Sequence, residues 1–119
     1  TDKIMDNRDY YRKKILIDLD GVLNEYHGDY DKDNIPIIKD GAKEFLKKLN
    51  NLADLYLFTS RNLLLSAKWL VDNKIDTYFK DITNIKIPSH LYIDDRCICF
   101  EGDYSKLIEQ IDNFQVYWK

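Results

Sequence analysis

Three short apolar segments, each followed at once by polar side chains, constrain the fold of this chain more than any other feature. They are Lys14–Asp18, Leu55–Phe58 and Leu91–Ile93. Runs of this length that are rich in isoleucine, leucine and aromatic residues are typical of buried strands. Segments with helical periodicity lie between and after them, and this alternation predicts a parallel sheet with right-handed crossovers.

The remaining elements complete an α/β pattern. The fold class we expect is a three-layer α/β/α sandwich with a mostly parallel, Rossmann-like sheet, and 119 residues suffice for a single domain. Residues 1–12 are polar and are expected to form an N-terminal arm. The predicted helices are Gly41–Asn50 with Asp40 as its N-cap, Asn62–Asn73 and Tyr104–Asp112, and further strands are predicted near Phe79–Ile82 and over Phe114–Trp118.

Two carboxylates, Asp18 and Asp20, stand two residues apart where the first strand ends, and Gly21 allows a tight exit. Side chains two apart in a strand emerge on the same side. Like charges this close disfavour joint ionisation unless a cation compensates them, and all-oxygen sites favour Mg²⁺ or Ca²⁺. The alternative interpretation is a solvated turn or a helix cap.

Polar residues at the other strand ends favour a site. Ligands of parallel α/β sheets bind beyond the carboxyl ends of the strands. The second and third apolar segments end at Thr59-Ser60 and at Asp94-Asp95. A carboxylate can attack phosphorus to give an aspartyl-phosphate, and the phosphoryl group then requires a metal, a hydroxyl donor and a cation. Lys86, a few residues before the acidic pair, can supply the cation.

The order of these motifs resembles the haloacid dehalogenase-like (HAD) superfamily of aspartate-nucleophile phosphatases. The motifs are DLDGV, FTSR, a lysine and IDDR, and the resemblance spans the chain from about Lys14 to Asp112. It implies a HAD-like core in which Asp18 is the nucleophile. It also implies that Asp20 is the general acid/base and that the main-chain carbonyl of Asp20 is a metal ligand.

The same resemblance assigns the remaining motif residues. Thr59 corresponds to the hydroxyl of the second motif, although Ser60 is an alternative, and Lys86 corresponds to the charge-neutralising lysine. Asp94 and Asp95 correspond to the acidic motif that holds Mg²⁺ together with Asp18. One departure is that Ile87 separates Lys86 from Pro88, whereas this lysine directly precedes proline in many relatives, so Lys80 and Lys74 remain competitors.

The spacing of the motifs leaves no room for the cap domain that selects substrates in this superfamily. We expect an open site, gated at most by the loop Asn24–Asp33. From that loop Tyr26, His27 and Tyr30 either touch the substrate or form a solvated flap. An open site fits a phosphorylated small molecule or the end of a phosphorylated polymer, and a second copy of the chain could cover it.

Arg61 and Arg96 stand beside motif residues and either hold a substrate anion or pair with neighbouring acids. Cys97 and Cys99 are expected to be small buried residues, not a disulfide or a zinc site.

The overall charge of the chain limits the kinds of binding partner that we expect. A net charge of −3 argues against a general nucleic-acid or membrane-surface binder. The sequence has no apolar run of membrane-spanning length, so we expect a cytoplasmic protein.

The function expected from these features is Mg²⁺-dependent hydrolysis of a phosphomonoester. Three alternatives stay open: a catalytically inactive HAD-like binding protein, a receiver-like phosphoacceptor and a phosphotransferase. Filled motif positions argue against the first, and the order of the motifs argues against the second. An open site that admits water argues against the third.

Overall fold

The computed structural model describes residues 12–119, and within them four strands form one all-parallel sheet in the order β3-β2-β1-β4. This confirms the expected α/β, Rossmann-like sandwich. The strands are β1 (Lys14–Asp18), β2 (Asp54–Phe58), β3 (Phe79–Thr83) and β4 (Leu91–Ile93). The α-helices of this range are α1 (Ala42–Asn50), α2 (Leu63–Asp72) and α3 (Tyr104–Asn113), and a 3₁₀ turn spans Asp76–Tyr78.

The core lies between the sheet and the helices α1 and α2. β1 is central, flanked by β2 and β4, so its apolar run Ile15–Ile17 is buried on both faces. In β2, buried Leu55 and Leu57 alternate with half-buried Tyr56, the period of two expected of a strand. The buried leucines pack in one cluster with core residues contributed by the two helices, Leu46 and Leu70 among them.

The helix ends follow from local capping chemistry, with one correction. The expected cap Asp40 is wrong, because Gly41 holds the N-cap position with φ of 87°, a conformation that favours glycine, and provides no side-chain cap. Asn62 caps α2 by accepting a hydrogen bond from the Leu65 N–H at 3.0 Å. Asp103 caps α3 by accepting from the Ser105 N–H at 2.9 Å.

The segment after β4 differs from the prediction in two places. Residues 114–119 do not pair as a strand but follow α3 as extended chain and a turn. Cys97 and Cys99 are exposed, not buried. The reason is that β4 ends at Ile93, so the cysteines lie beyond the sheet in irregular chain.

The predicted N-terminal arm falls on residues outside the described range, except for Arg12. That residue donates from Nε to Asp54 Oδ1 at 2.9 Å and from Nη2 to the Ala53 carbonyl at 2.5 Å, which fastens the start of β1 to the start of β2. No helix within residues 12–119 has both the length and the apolar character needed to span a bilayer.

Candidate functional site

The polar residues predicted at the strand ends meet at one edge of the sheet. Asp18 is the last residue of β1, Thr59 follows β2, and Asp94 follows β4, the two strands that flank β1. A cavity of about 340 Å³ opens at this edge. Its lining residues are Asp18, Asp20, Tyr26, Tyr30, Thr59, Ser60, Asp94, Asp95 and Arg96.

Three carboxylates converge in this cavity. Asp18, Asp94 and Asp95 each offer an oxygen, and these oxygens lie within 4.8 Å of one another. Burial, followed by the charge of Asp94 and a hydrogen bond with Asp95, raises the pKa of Asp18 to about 8. The crowded carboxylates therefore hold a proton, which reduces the repulsion between them. A bound cation would neutralise them equally well, and an all-oxygen donor set fits Mg²⁺.

Asp20 lies outside this three-carboxylate cluster and forms an ion pair with Arg61. Arg61 Nε donates to Asp20 Oδ2 at 2.8 Å and Nη2 donates to Asp20 Oδ1 at 3.1 Å. Buried Asn24 adds a hydrogen bond from its amide to Asp20 Oδ1 at 3.1 Å and accepts one from the Gly21 N–H. The two carboxylates of the DLD motif therefore occupy different environments: Asp18 faces other acids, and Asp20 faces donors.

Arg61 also fixes the loop above the site. Only 2% of the residue is exposed, and its Nη1 donates to the Asp31 carbonyl at 2.8 Å. Its guanidinium carbon lies 4.6 Å from the centre of the Tyr30 ring. The ion-pair interpretation of Arg61 is thus the one observed, whereas Arg96 lines the cavity with its guanidinium 5.4 Å from the Trp118 ring.

Both candidate hydroxyls of the second motif line the cavity. Thr59 is buried, and its Oγ1 accepts a hydrogen bond from the Arg61 N–H at 3.1 Å. Because that oxygen acts as an acceptor toward the chain, its hydroxyl proton is available for an anion. Ser60 is exposed, so the better positioned hydroxyl is that of Thr59.

Lys86 is not brought into the cavity. Its ammonium lies 4.4 Å from the centre of the Tyr92 ring, and Tyr92 is a partly exposed residue of β4. The structure therefore unites Asp18, Asp20, Thr59, Asp94 and Asp95, and places Lys86 apart from them.

Trp118 is a site residue that sequence reasoning missed. Its indole Nε1 donates to Asp95 Oδ2 at 2.6 Å, and its ring lies edge-on to Tyr26 with centroids 5.3 Å apart. A Cβ at Gly21, where φ is 86°, would stand 2.2 Å from Asp95 Oδ2 and 3.1 Å from Trp118 Nε1. Glycine is therefore required here by space as well as by backbone conformation.

A solved structure with a similar fold is that of a conserved protein coded by a locus of Bacteroides thetaiotaomicron. The TM-score is 0.58, with 22% sequence identity over 86% of this chain and 91% of that one. At this identity the likeness concerns the fold alone. No family model matches the chain, and no curated protein matches it.

Proposed function

We propose that this protein hydrolyses phosphomonoesters with Mg²⁺ through an aspartyl-phosphate on Asp18. The supporting observation is the convergence of Asp18, Asp94 and Asp95 within 4.8 Å at the carboxyl edge of the sheet, with Asp20 held separately by Arg61. Such a division gives two neighbouring carboxylates different roles, one as nucleophile and one in proton transfer. The resemblance to the HAD superfamily points to the same roles.

The chemistry divides one displacement into two. In the first, Asp18 releases its proton to solvent and one of its oxygens bonds to phosphorus, the ester P–O bond breaks, and protonated Asp20 gives its proton to the leaving alcohol. In the second, water attacks phosphorus, passes a proton to Asp20, and the bond to Asp18 breaks to release inorganic phosphate. Arg61 and Asn24 donate hydrogen bonds to Asp20 and hold its carboxyl group in one orientation for both proton transfers.

Asp18, Asp94 and Asp95 would hold the Mg²⁺ in this scheme. When bound, the ion neutralises the carboxylates and the phosphoryl oxygens. Thr59 would donate a hydrogen bond from its hydroxyl group to a phosphoryl oxygen. Arg96 lines the same cavity and supplies a positive charge. For Lys86 to neutralise charge at this site, its ammonium group would have to leave the Tyr92 ring. The same proposal includes a location of the protein in the cytoplasm.

The test is phosphate release from a panel of phosphomonoesters with Mg²⁺ or with a chelator. We expect release only with Mg²⁺ and its loss in Asp18→Asn, with folding checked by circular dichroism. Asp112→Asn, an exposed residue of α3, is the matched control and should retain full activity. Activity that survives chelation, or full activity in Asp18→Asn, would refute the proposal.

A further inference from the structure

Tyr30 presents an exposed aromatic ring in the wall of the cavity that contains the candidate nucleophile. The residue is 54% exposed although it stands directly against buried Arg61. A guanidinium uses its edge for carboxylates and its face for aromatic rings. Arg61 can therefore hold Asp20 with its edge and support Tyr30 with its face, which fixes the ring while the residue stays exposed.

A second cavity continues from the first at Tyr30. Its volume is about 450 Å³, and it shares Tyr30 and Ser60 with the cavity of the carboxylates. The other residues that line it are Lys32, Asp33, Asn62 and Leu65. This second cavity combines an aromatic wall and an apolar side chain with charged and amide groups. Its lining residues do not include a cluster of carboxylates like that of the first cavity.

We propose that the alcohol released by the proposed hydrolysis is a nucleoside, with its base stacked on Tyr30 in the second cavity. This inference rests on the proposed function. A phosphoryl group beside Asp18 leaves the rest of the substrate to extend along the shared wall. A nucleobase has the planar face that stacks on an aromatic ring, and stacking of this kind tolerates any base.

The polar residues of the second cavity suit the edges of a base. Asn62 commits its side-chain oxygen to the Leu65 N–H, so toward a ligand it offers its amide nitrogen, a donor. Lys32 and Asp33, whose side chains are 3.1 Å apart, add one donor and one acceptor group at the rim. A simple sugar phosphate has neither a face for Tyr30 nor the length to reach these groups.

The experiment compares kcat/KM for adenosine 5′-monophosphate, uridine 5′-monophosphate and ribose 5-phosphate with Mg²⁺. We expect both nucleotides to exceed ribose 5-phosphate by about 10- to 100-fold, the factor that base–aromatic stacking supplies. Tyr30→Leu should remove this preference, so that kcat/KM for the two nucleotides falls to the level of ribose 5-phosphate in the same variant. Tyr30→Phe should keep the preference, and Tyr104→Leu on α3 is the control for loss of an exposed tyrosine.

The outcomes separate the two proposals. Equal kcat/KM for ribose 5-phosphate and the nucleotides, with both reactions lost in Asp18→Asn, would overturn the nucleoside inference and leave the phosphatase intact. A preference that survives Tyr30→Leu would also overturn it. Phosphate release from none of the three, while another phosphomonoester of the panel is hydrolysed with Mg²⁺, would overturn the nucleoside inference alone. Release from no phosphomonoester of the panel would end both proposals. A 5′-phosphorylated dinucleotide distinguishes two sources of the nucleoside. Turnover at least as fast as that of the free nucleotide would indicate a polymer end, and slower turnover would indicate a free nucleotide.

Discussion

The substitution Asp18→Asn should change how the stability of the metal-free protein depends on pH. The folded state raises the pKa of Asp18 to about 8, chiefly because the group is buried and faces Asp94 and Asp95. The unfolded chain returns this pKa to its ordinary value of 3.8. Between pH 5 and pH 7 the folded protein therefore binds one proton that the unfolded chain has already released.

The sign and size follow from proton linkage. A folded state that binds one extra proton loses about 1.4 kcal/mol of unfolding free energy for each unit by which the pH rises. From pH 5 to pH 7 the one-proton limit is thus about 2.7 kcal/mol. Asparagine resembles the protonated acid but does not titrate. The variant should therefore lack this loss. Its unfolding free energy relative to that of the wild type should rise between pH 5 and pH 7 by an amount that approaches the limit.

The assay is urea unfolding of both proteins at pH 5, 6 and 7 with a chelator present. The two proteins share every other titratable group, so the difference between the two profiles isolates Asp18. With saturating Mg²⁺ the wild type should no longer lose stability as the pH rises, because the cation takes the place of the proton. Parallel pH profiles for the wild type and Asp18→Asn without metal would refute the reasoning.

Two further predictions concern the neighbours of the cluster. Asp20→Ala should lower the free energy of unfolding by about 3–5 kcal/mol, because it leaves the buried guanidinium of Arg61 without its carboxylate. A loss below about 1 kcal/mol, measured by urea unfolding, would contradict this prediction. Trp118→Phe removes the indole donor to Asp95 and should weaken Mg²⁺ binding by about 10- to 100-fold in calorimetry. Trp69→Phe, which removes an indole bond to the Pro36 carbonyl instead, should bind Mg²⁺ like the wild type, and equal affinities in the two tryptophan variants would contradict the role of Trp118.

The sequence predicts the carboxylates well because their placement depends on local structure. Asp18 and Asp94 each stand at the end of an apolar run, and a parallel sheet brings such ends to one edge whatever the loops do. The register confirms this, since Ile17 pairs with Ile93 and the two aspartates follow directly. No knowledge of the distant chain is needed for this part of the site.

The residues that orient the carboxylates could not be predicted in the same way, because Arg61 and Trp118 lie in irregular chain, where no strand pairing determines their neighbours. Trp118 reaches Asp95 across 23 residues, and Arg61 reaches Asp20 across 41. The aromatic segment before Trp118 has the composition of a strand, and that local signal is what misdirects the prediction. Only the return of the chain after α3 places the indole at the acidic cluster.

Arg61 connects the two proposals, because its contacts join the carboxylate of the proposed reaction to the aromatic ring of the proposed nucleoside site. A single buried guanidinium positions the carboxylate assigned to proton transfer, the Asp31 carbonyl of the loop and the ring of Tyr30. Because the loop is fastened to the same group as Asp20, the ring of Tyr30 keeps a fixed position relative to that carboxylate. Under both proposals, a substitution at Arg61 is expected to change the reaction rate and the substrate preference together.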